Sequence, residues 1–379
     1  MQYLRQRGPV LLALAAFAIS LWTLPAAWCR RGAQAWFAGD LATQRSLAQT
    51  VVAQVGHGLT TADFHSGDKL FDGEWLLGTH LMAGIGLCQI VQQHPESKAE
   101  FAPAIETCIQ SLLSEDVRKF DRNAWQDDAL ETLDTDQGHA AYLGYVNFLL
   151  GLYRQIAPAN QFTGLNDRIT ATLVRRFNAS PTGLIATYPN QWYPVDNTPG
   201  LASIALHGQA TGRDYSALLA REEAIFRSHL LDPVSGLLIQ AFDGKGQPVD
   251  LGRGSGSALG AFFLTRAWPK LSGELFDSIR KNLATSLLGF GAIREYPNGI
   301  SGVGDIDSGP IILGFGFSAT GFSLAGARAF GDSALFARLY SSAILAGAPT
   351  TRGDRLDFLT AGPLGNAILL AMFTTPTLQ

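Results

Sequence analysis

The chain has 379 residues, 47% of them hydrophobic and 16% charged, with a formal net charge of -4. This composition excludes a disordered chain, and the charge balance excludes a basic face for nucleic acid. The 41 glycines fall largely inside apolar runs rather than in linkers, which points to closely packed helices.

Residues 9–28 are uncharged and mostly apolar between Arg5/Arg7 and Arg30/Arg31, about the length a helix needs to cross a bilayer. They read as an uncleaved transmembrane signal-anchor. Ala33-Gln34-Ala35 lies far beyond the apolar run for a cleavage site, and Trp28 before Cys29 does not suit a lipoprotein site. The basic tail, residues 1–8, then stays in the cytoplasm, residues 29–39 are a linker, and residues 40–379 form one periplasmic domain held at the inner membrane. One rival span, residues 311–330, is nearly uncharged, but its glycines assign it to the protein interior. Three cysteines make no disulfide framework; Cys88 and Cys108 sit in apolar helical patterns as small core residues, with a bridge between them left open.

Beyond the linker a pattern repeats. Apolar, small-residue-rich helical segments begin near Glu74, Gly138, Asn197, Ser255, Pro310 and Pro363, at intervals of about 53 to 64 residues. Amphipathic segments lie between them, at residues 40–55, 101–114, 165–177, 215–230, 271–288 and 333–345. Strand signals are scarce, the best being residues 237–242 before Asp243-Gly244. Six apolar and six amphipathic helices in alternation predict an all-α (α/α)6 toroid, apolar helices inside; an open α-solenoid is the alternative.

In a toroid the turns before the inner helices face one cavity. Gly304-Asp305-Ile306-Asp307-Ser308-Gly309-Pro310 leads into an apolar run and is read as a helix mouth carrying two acids. The other turns supply Glu74 and Trp75, Asp136 and His139, and Trp192, Tyr193, Asp196 and Asn197. Catalysis is assigned to Asp196, Asp305, Asp307 and His139, and substrate binding to Glu74, Trp75, Asp136, Trp192, Tyr193 and Asn197. Aromatic faces beside carboxylates suit stacking and acid/base work on a sugar. Asp196 is the candidate acid, because Trp192, Tyr193 and Val195 would desolvate it, and Asp305 or Asp307 the base or nucleophile. Asp136 in the same turn would hold His139 charged. No cofactor is expected: Gly252-Arg253-Gly254-Ser255-Gly256 lacks a preceding strand and a phosphate-loop lysine. No metal-ligand spacing stands out, although Asp196, Asp305 and Asp307 could together hold a hard cation.

Asp136-Gln137-Gly138-His139, continuing through residues 147–153, resembles the Gly-His helix of the linalool dehydratase/isomerase family. Residues 184–197 and 314–332 are similar to further segments of that family. The resemblance implies an (α/α)6 barrel with a histidine in the active site. Where the family carries two active-site cysteines this chain has Thr187 and Asp196. With carboxylates in place of thiols, the architecture also resembles glycoside hydrolases, lyases and sugar epimerases. The function read from these features is carboxylate acid/base hydrolysis of an extracytoplasmic glycan. The alternatives are a dehydratase/isomerase of an alcohol and a non-catalytic glycan-assembly or binding subunit; a mostly apolar pocket would favour the former, and a groove lined by several acids and tryptophans would favour a sugar.

Overall fold

The computed structural model describes residues 2–378. Met1, the first residue of the basic tail, and Gln379 lie outside it. Helix α1 (Gln2–Cys29) contains the apolar run, and α2 (Ala33–Ala38) follows. Six helices then form an inner ring: α4 (Lys69–Gln93), α7 (Ala140–Ile156), α9 (Pro194–Thr211), α11 (Gly254–Leu264), α13 (Phe317–Ala329) and α15 (Gly362–Phe373). Each packs on the next, and α15 packs back on α4, so the ring is closed rather than a solenoid. The outer layer is α3 (Leu41–Gly56), α5 (Lys98–Leu113), α8 (Thr163–Ala179), α10 (Ser216–Ile225), α12 (Pro269–Asn282) and α14 (Ser333–Gly347). The architecture is the (α/α)6 barrel that the alternation predicts.

Small residues draw the inner helices together. A side chain at Gly144 of α7 would meet the backbone of Gly200 on α9 at 3.0 Å, so these two helices touch through glycine. Helix α4 has 25 residues and is apolar enough to cross a membrane by composition, yet 83% of its apolar window is buried in the ring. It is the core helix of a barrel.

Several local features depart from the expectations. The stretch before α13 does not continue the helix upstream to Pro310. Residues Ile311–Ile312 and Phe315–Gly316 pair as a two-stranded antiparallel hairpin, because Leu313 and Gly314 both adopt positive φ at its turn. Residues 284–288 leave α12 to form a second hairpin, Ala284–Leu287 with Phe290–Ile293, and a third joins Pro349–Arg352 to Arg355–Phe358. An extra helix, α6 (Glu115–Trp125), stands between α5 and α7, capped by Ser114. Residues 237–242 are extended, with isolated bridges to Leu231, Gly252, Pro248 and Trp192.

The supposed linker is part of the domain. Trp36 of α2 is 1% exposed and lies 4.8 Å from the ring of Phe373 on α15. Helix α1, by contrast, carries Leu12, Phe17, Leu24 and Trp28 at 62–73% exposure except where α14 meets it. Removing residues 1–31 should therefore leave a monodisperse, folded protein without detergent, checked by size exclusion and circular dichroism. A truncated protein that still needs detergent would place apolar exposure elsewhere. Cys88 and Cys108 are buried and unbridged.

Candidate active site

The starts of the inner helices enclose a cavity of about 680 Å³. Glu74, Trp75, Tyr193, Asp196, Asp305 and Asp307 line it together. They reach it from α4, α9 and the loop before α13, so residues more than two hundred positions apart in the sequence meet at one mouth.

Each acid has its own environment. Glu74 accepts a hydrogen bond from the Tyr188 hydroxyl. Burial, together with the negative charge of Asp307 and Asp196, pushes its pKa up to about 8. Asp196 Oδ1 accepts a 2.7 Å hydrogen bond from the Tyr145 hydroxyl, and Thr187 bonds it as well. Burial raises Asp196 to about 6, and these two bonds restrain the shift by stabilising the ionised form. Asp307 is exposed, and it lines the cavity. Desolvation and the neighbouring Asp305 and Asp196 raise it to about 7, an effect that cavity water softens.

Asp305 is committed to structure. Its Oδ2 takes Arg253 Nη2 at 2.5 Å, and its Oδ1 accepts the backbone N–H of Ser308 at 3.0 Å. The Ser308 hydroxyl in turn accepts from Asp305 N, closing a tight turn that presents Asp307. Arg253 is 5% exposed, and Asp250 at 3.5 Å is its second counter-charge. Directly behind it, buried Glu295 takes the Ser255 hydroxyl at 2.5 Å and so fixes the start of α11.

The remaining sequence candidates lie elsewhere. His139 does not line the cavity: it is fully buried at the start of α7 in the left-handed region, φ 51°. Its Nδ1 meets Asp121 Oδ2 at 2.6 Å and its ring lies on Trp125. The partner is Asp121 rather than Asp136, which is exposed and off the cavity. Asn197 is buried, tying Ile185 and Tyr193 to α9 through its side-chain amide. Trp192 packs its ring against Gly244 and bonds Phe242 through its backbone. His139→Ala should cost about 3 kcal/mol in urea unfolding, since Asp121 then stays buried without its partner. Substrate turnover by the folded fraction should persist; its loss at full stability would return His139 to the chemistry.

Residues that the sequence did not single out complete the site. Tyr145, Tyr188, Gln191 and Gln240 all line it. Tyrosines in helices and loops carry no local signal for such a role, because their partners are distant in the chain. Among the described residues no group of three or more His, Cys, Asp or Glu side chains is arranged to hold a metal ion, so the grouping of Asp196, Asp305 and Asp307 does not form a cation cage.

No family profile matches the chain. No curated protein matches it either. Among solved structures it is similar to an α-1,6-mannanase of Salegentibacter sp., an inactive variant bound to α-1,6-mannotriose. The TM-score is 0.52 at 12% identity, over 88% of this chain and 99% of that one. A family 76 glycoside hydrolase from Bacteroides thetaiotaomicron aligns at TM-score 0.44 and 12% identity, covering 79% of this chain and 68% of that chain. A family 76 α-mannanase of the same species gives 0.47 and 13%, covering 80% and 84%. The kinship expected with linalool dehydratase/isomerase finds no support in these likenesses. What the likeness to the Salegentibacter mannanase shows is the fold, an (α/α)6 barrel also used by a glycoside hydrolase.

Proposed function

We propose that the chain is a glycoside hydrolase acting on a glycan, with Glu74 as general acid and Asp196 as the carboxylate that activates water. The observation that carries this reading is the convergence of Glu74, Asp196 and Asp307 on one cavity with aromatic walls. Glu74 is the better acid because its pKa stands highest, at about 8, so it holds a proton at neutral pH. Asp196, bonded by Tyr145 and Thr187 and nearer 6, is ionised there, which reverses the acid role the sequence suggested for it. Trp75 and Tyr193 offer ring faces for a pyranose at the rim. The fold likeness to an enzyme crystallised with α-1,6-mannotriose supports the substrate class.

The acids are this chain's own set. Two aspartates that follow one another were replaced in the inactive mannanase. The consecutive aspartates here, Asp127 and Asp128, lie off the cavity, Asp127 bonded to Gln137 and Asp128 paired with Arg118. The apolar α1 supports the reading that the domain is tethered to a membrane, outside the cytoplasm. The test is release of reducing sugar from a panel of oligosaccharides, α-1,6-mannotriose among them. Turnover by the wild type that vanishes in Glu74→Gln supports the reading. No turnover of any glycan, with binding intact, would return the chain to a binding subunit.

A further inference from the structure

The cavity changes character with depth. On α4 the lining residues that follow Glu74 and Trp75 are Leu77, Gly78, Leu81 and Met82. Met82 is eight positions beyond Glu74, about 12 Å further along the helix axis. Helices α11 and α13 repeat the change one turn in, and α15 is apolar at both levels. Ser255 of α11 is followed on the same face by Leu259, and Ser318 of α13 by Phe322. On α15, Leu364 is followed by Ile368. On α7 the corresponding side chain is Tyr145, whose hydroxyl is already engaged by Asp196. Apart from Tyr145, the polar side chains that line the cavity thus belong to the first turns of the inner helices and the loops before them, and the lining one turn further in is aliphatic and aromatic.

A sugar cannot fill such a shaft. Each hydroxyl buried there without a partner costs about 1 to 3 kcal/mol, and a hexose carries several. An aliphatic chain gains about 0.8 kcal/mol for each methylene it buries. We infer that the substrate is an amphiphile, a sugar joined through oxygen to an aliphatic aglycone, with the sugar at the acidic rim and the aglycone in the shaft lined by Leu81, Met82, Leu259, Phe322 and Ile368. The junction between the two halves lies at Glu74 and Asp196, level with the bond to be cut. The exposed apolar surface of α1 is in keeping with a protein that works where such amphiphiles gather. For cleavage the inference rests on the hydrolase reading. Glu74 gives its proton to the aglycone oxygen as the bond to the anomeric carbon breaks. Water supplies hydroxyl to that carbon, its second proton passes to Asp196, and the aglycone leaves as a neutral alcohol.

The full chain in lipid nanodiscs, titrated with methyl and hexyl α-mannosides and with hexanol, tests this. Binding is read by calorimetry against empty discs, and sugar release is followed separately. Hexyl mannoside should bind about tenfold or more tighter than the methyl compound. Ile368→Trp, which fills the shaft, and Leu259→Phe, a milder filling for the case where the first variant misfolds, should each draw the two affinities together. Equal affinities in the wild type, a preference unchanged in both folded variants, or hexanol bound as tightly as the hexyl mannoside would overturn the inference. Tight, variant-sensitive binding of the hexyl compound without any sugar release would sustain the amphiphile site and sink the hydrolase reading alone.

Discussion

Glu74→Gln should lower kcat by a factor of about 10² to 10⁴, the usual contribution of a positioned general acid, while the protein becomes more stable above neutral pH. Both outcomes have one cause. The folded state holds a proton on Glu74 up to about pH 8, whereas an unfolded chain releases it near 4.5. Between those values the native protein binds more protons than the unfolded chain, so this group's contribution to stability falls as pH rises and is gone above pH 8. Glutamine cannot ionise and removes the penalty. Thermal melts should therefore show Glu74→Gln ahead of the wild type at pH 8, by on the order of 2 to 4 kcal/mol, and level with it at pH 4. Asp196→Asn should also lose activity, without unfolding, because Asn can still accept from Tyr145. The wild-type rate should be bell-shaped, falling below about pH 6 as Asp196 protonates and above about pH 8 as Glu74 ionises. A Glu74→Gln protein with wild-type kcat would end the acid assignment.

Trp36→Ala should be the most damaging substitution remote from the site, costing about 3 to 5 kcal/mol in equilibrium unfolding. Trp36 is 1% exposed and its ring lies tilted against Phe373, which itself meets Phe336, Tyr340 and Phe358. Truncation opens a cavity beside Phe373 of α15, whose other aromatic neighbours come from α14 and the third hairpin. The pH dependence of any residual activity should be unchanged, because the acids lie at the mouth. A loss below about 1 kcal/mol would mean that α2 rests on the barrel without supporting it.

The helix alternation was legible because burial on all sides and burial on one side leave different periodicities, and the inner helices are uniformly apolar. That Glu74, Asp196, Asp305 and Asp307 line one cavity follows from the same alternation, since the turns before inner helices of a closed ring meet at one end. His139 was misread because its neighbours in sequence are not its neighbours in space. The left-handed turn at φ 51° carries the ring inward to Asp121, eighteen positions back. The apolar run after Asp307 concealed the hairpin, since Ile-Ile-Leu-Gly-Phe-Gly serves equally as helix or as strand and turn. The tyrosines that bond the acids were beyond any local rule, for Tyr188 and Glu74 stand 114 positions apart. The outcome at Asp305 was also invisible, because its ion pair depends on Arg253 fifty-two positions earlier.

The closed ring bears on how the chain is made. The seam joins its two ends: Gln93 Nε2 bonds the carbonyl of Thr374 across 281 positions, and Arg328 reaches back 291 positions to Phe37. A nascent chain leaving the ribosome can stack helix pairs one after another, but α4 keeps an uncovered apolar flank until α15 has emerged and docks. Until that moment the product is an incomplete arc with two sticky edges, open to pairing with another arc. A chain lacking α15 would leave that flank of α4 open to the α15 of a neighbouring chain, so the closing contact is also the one a swapped pair would share.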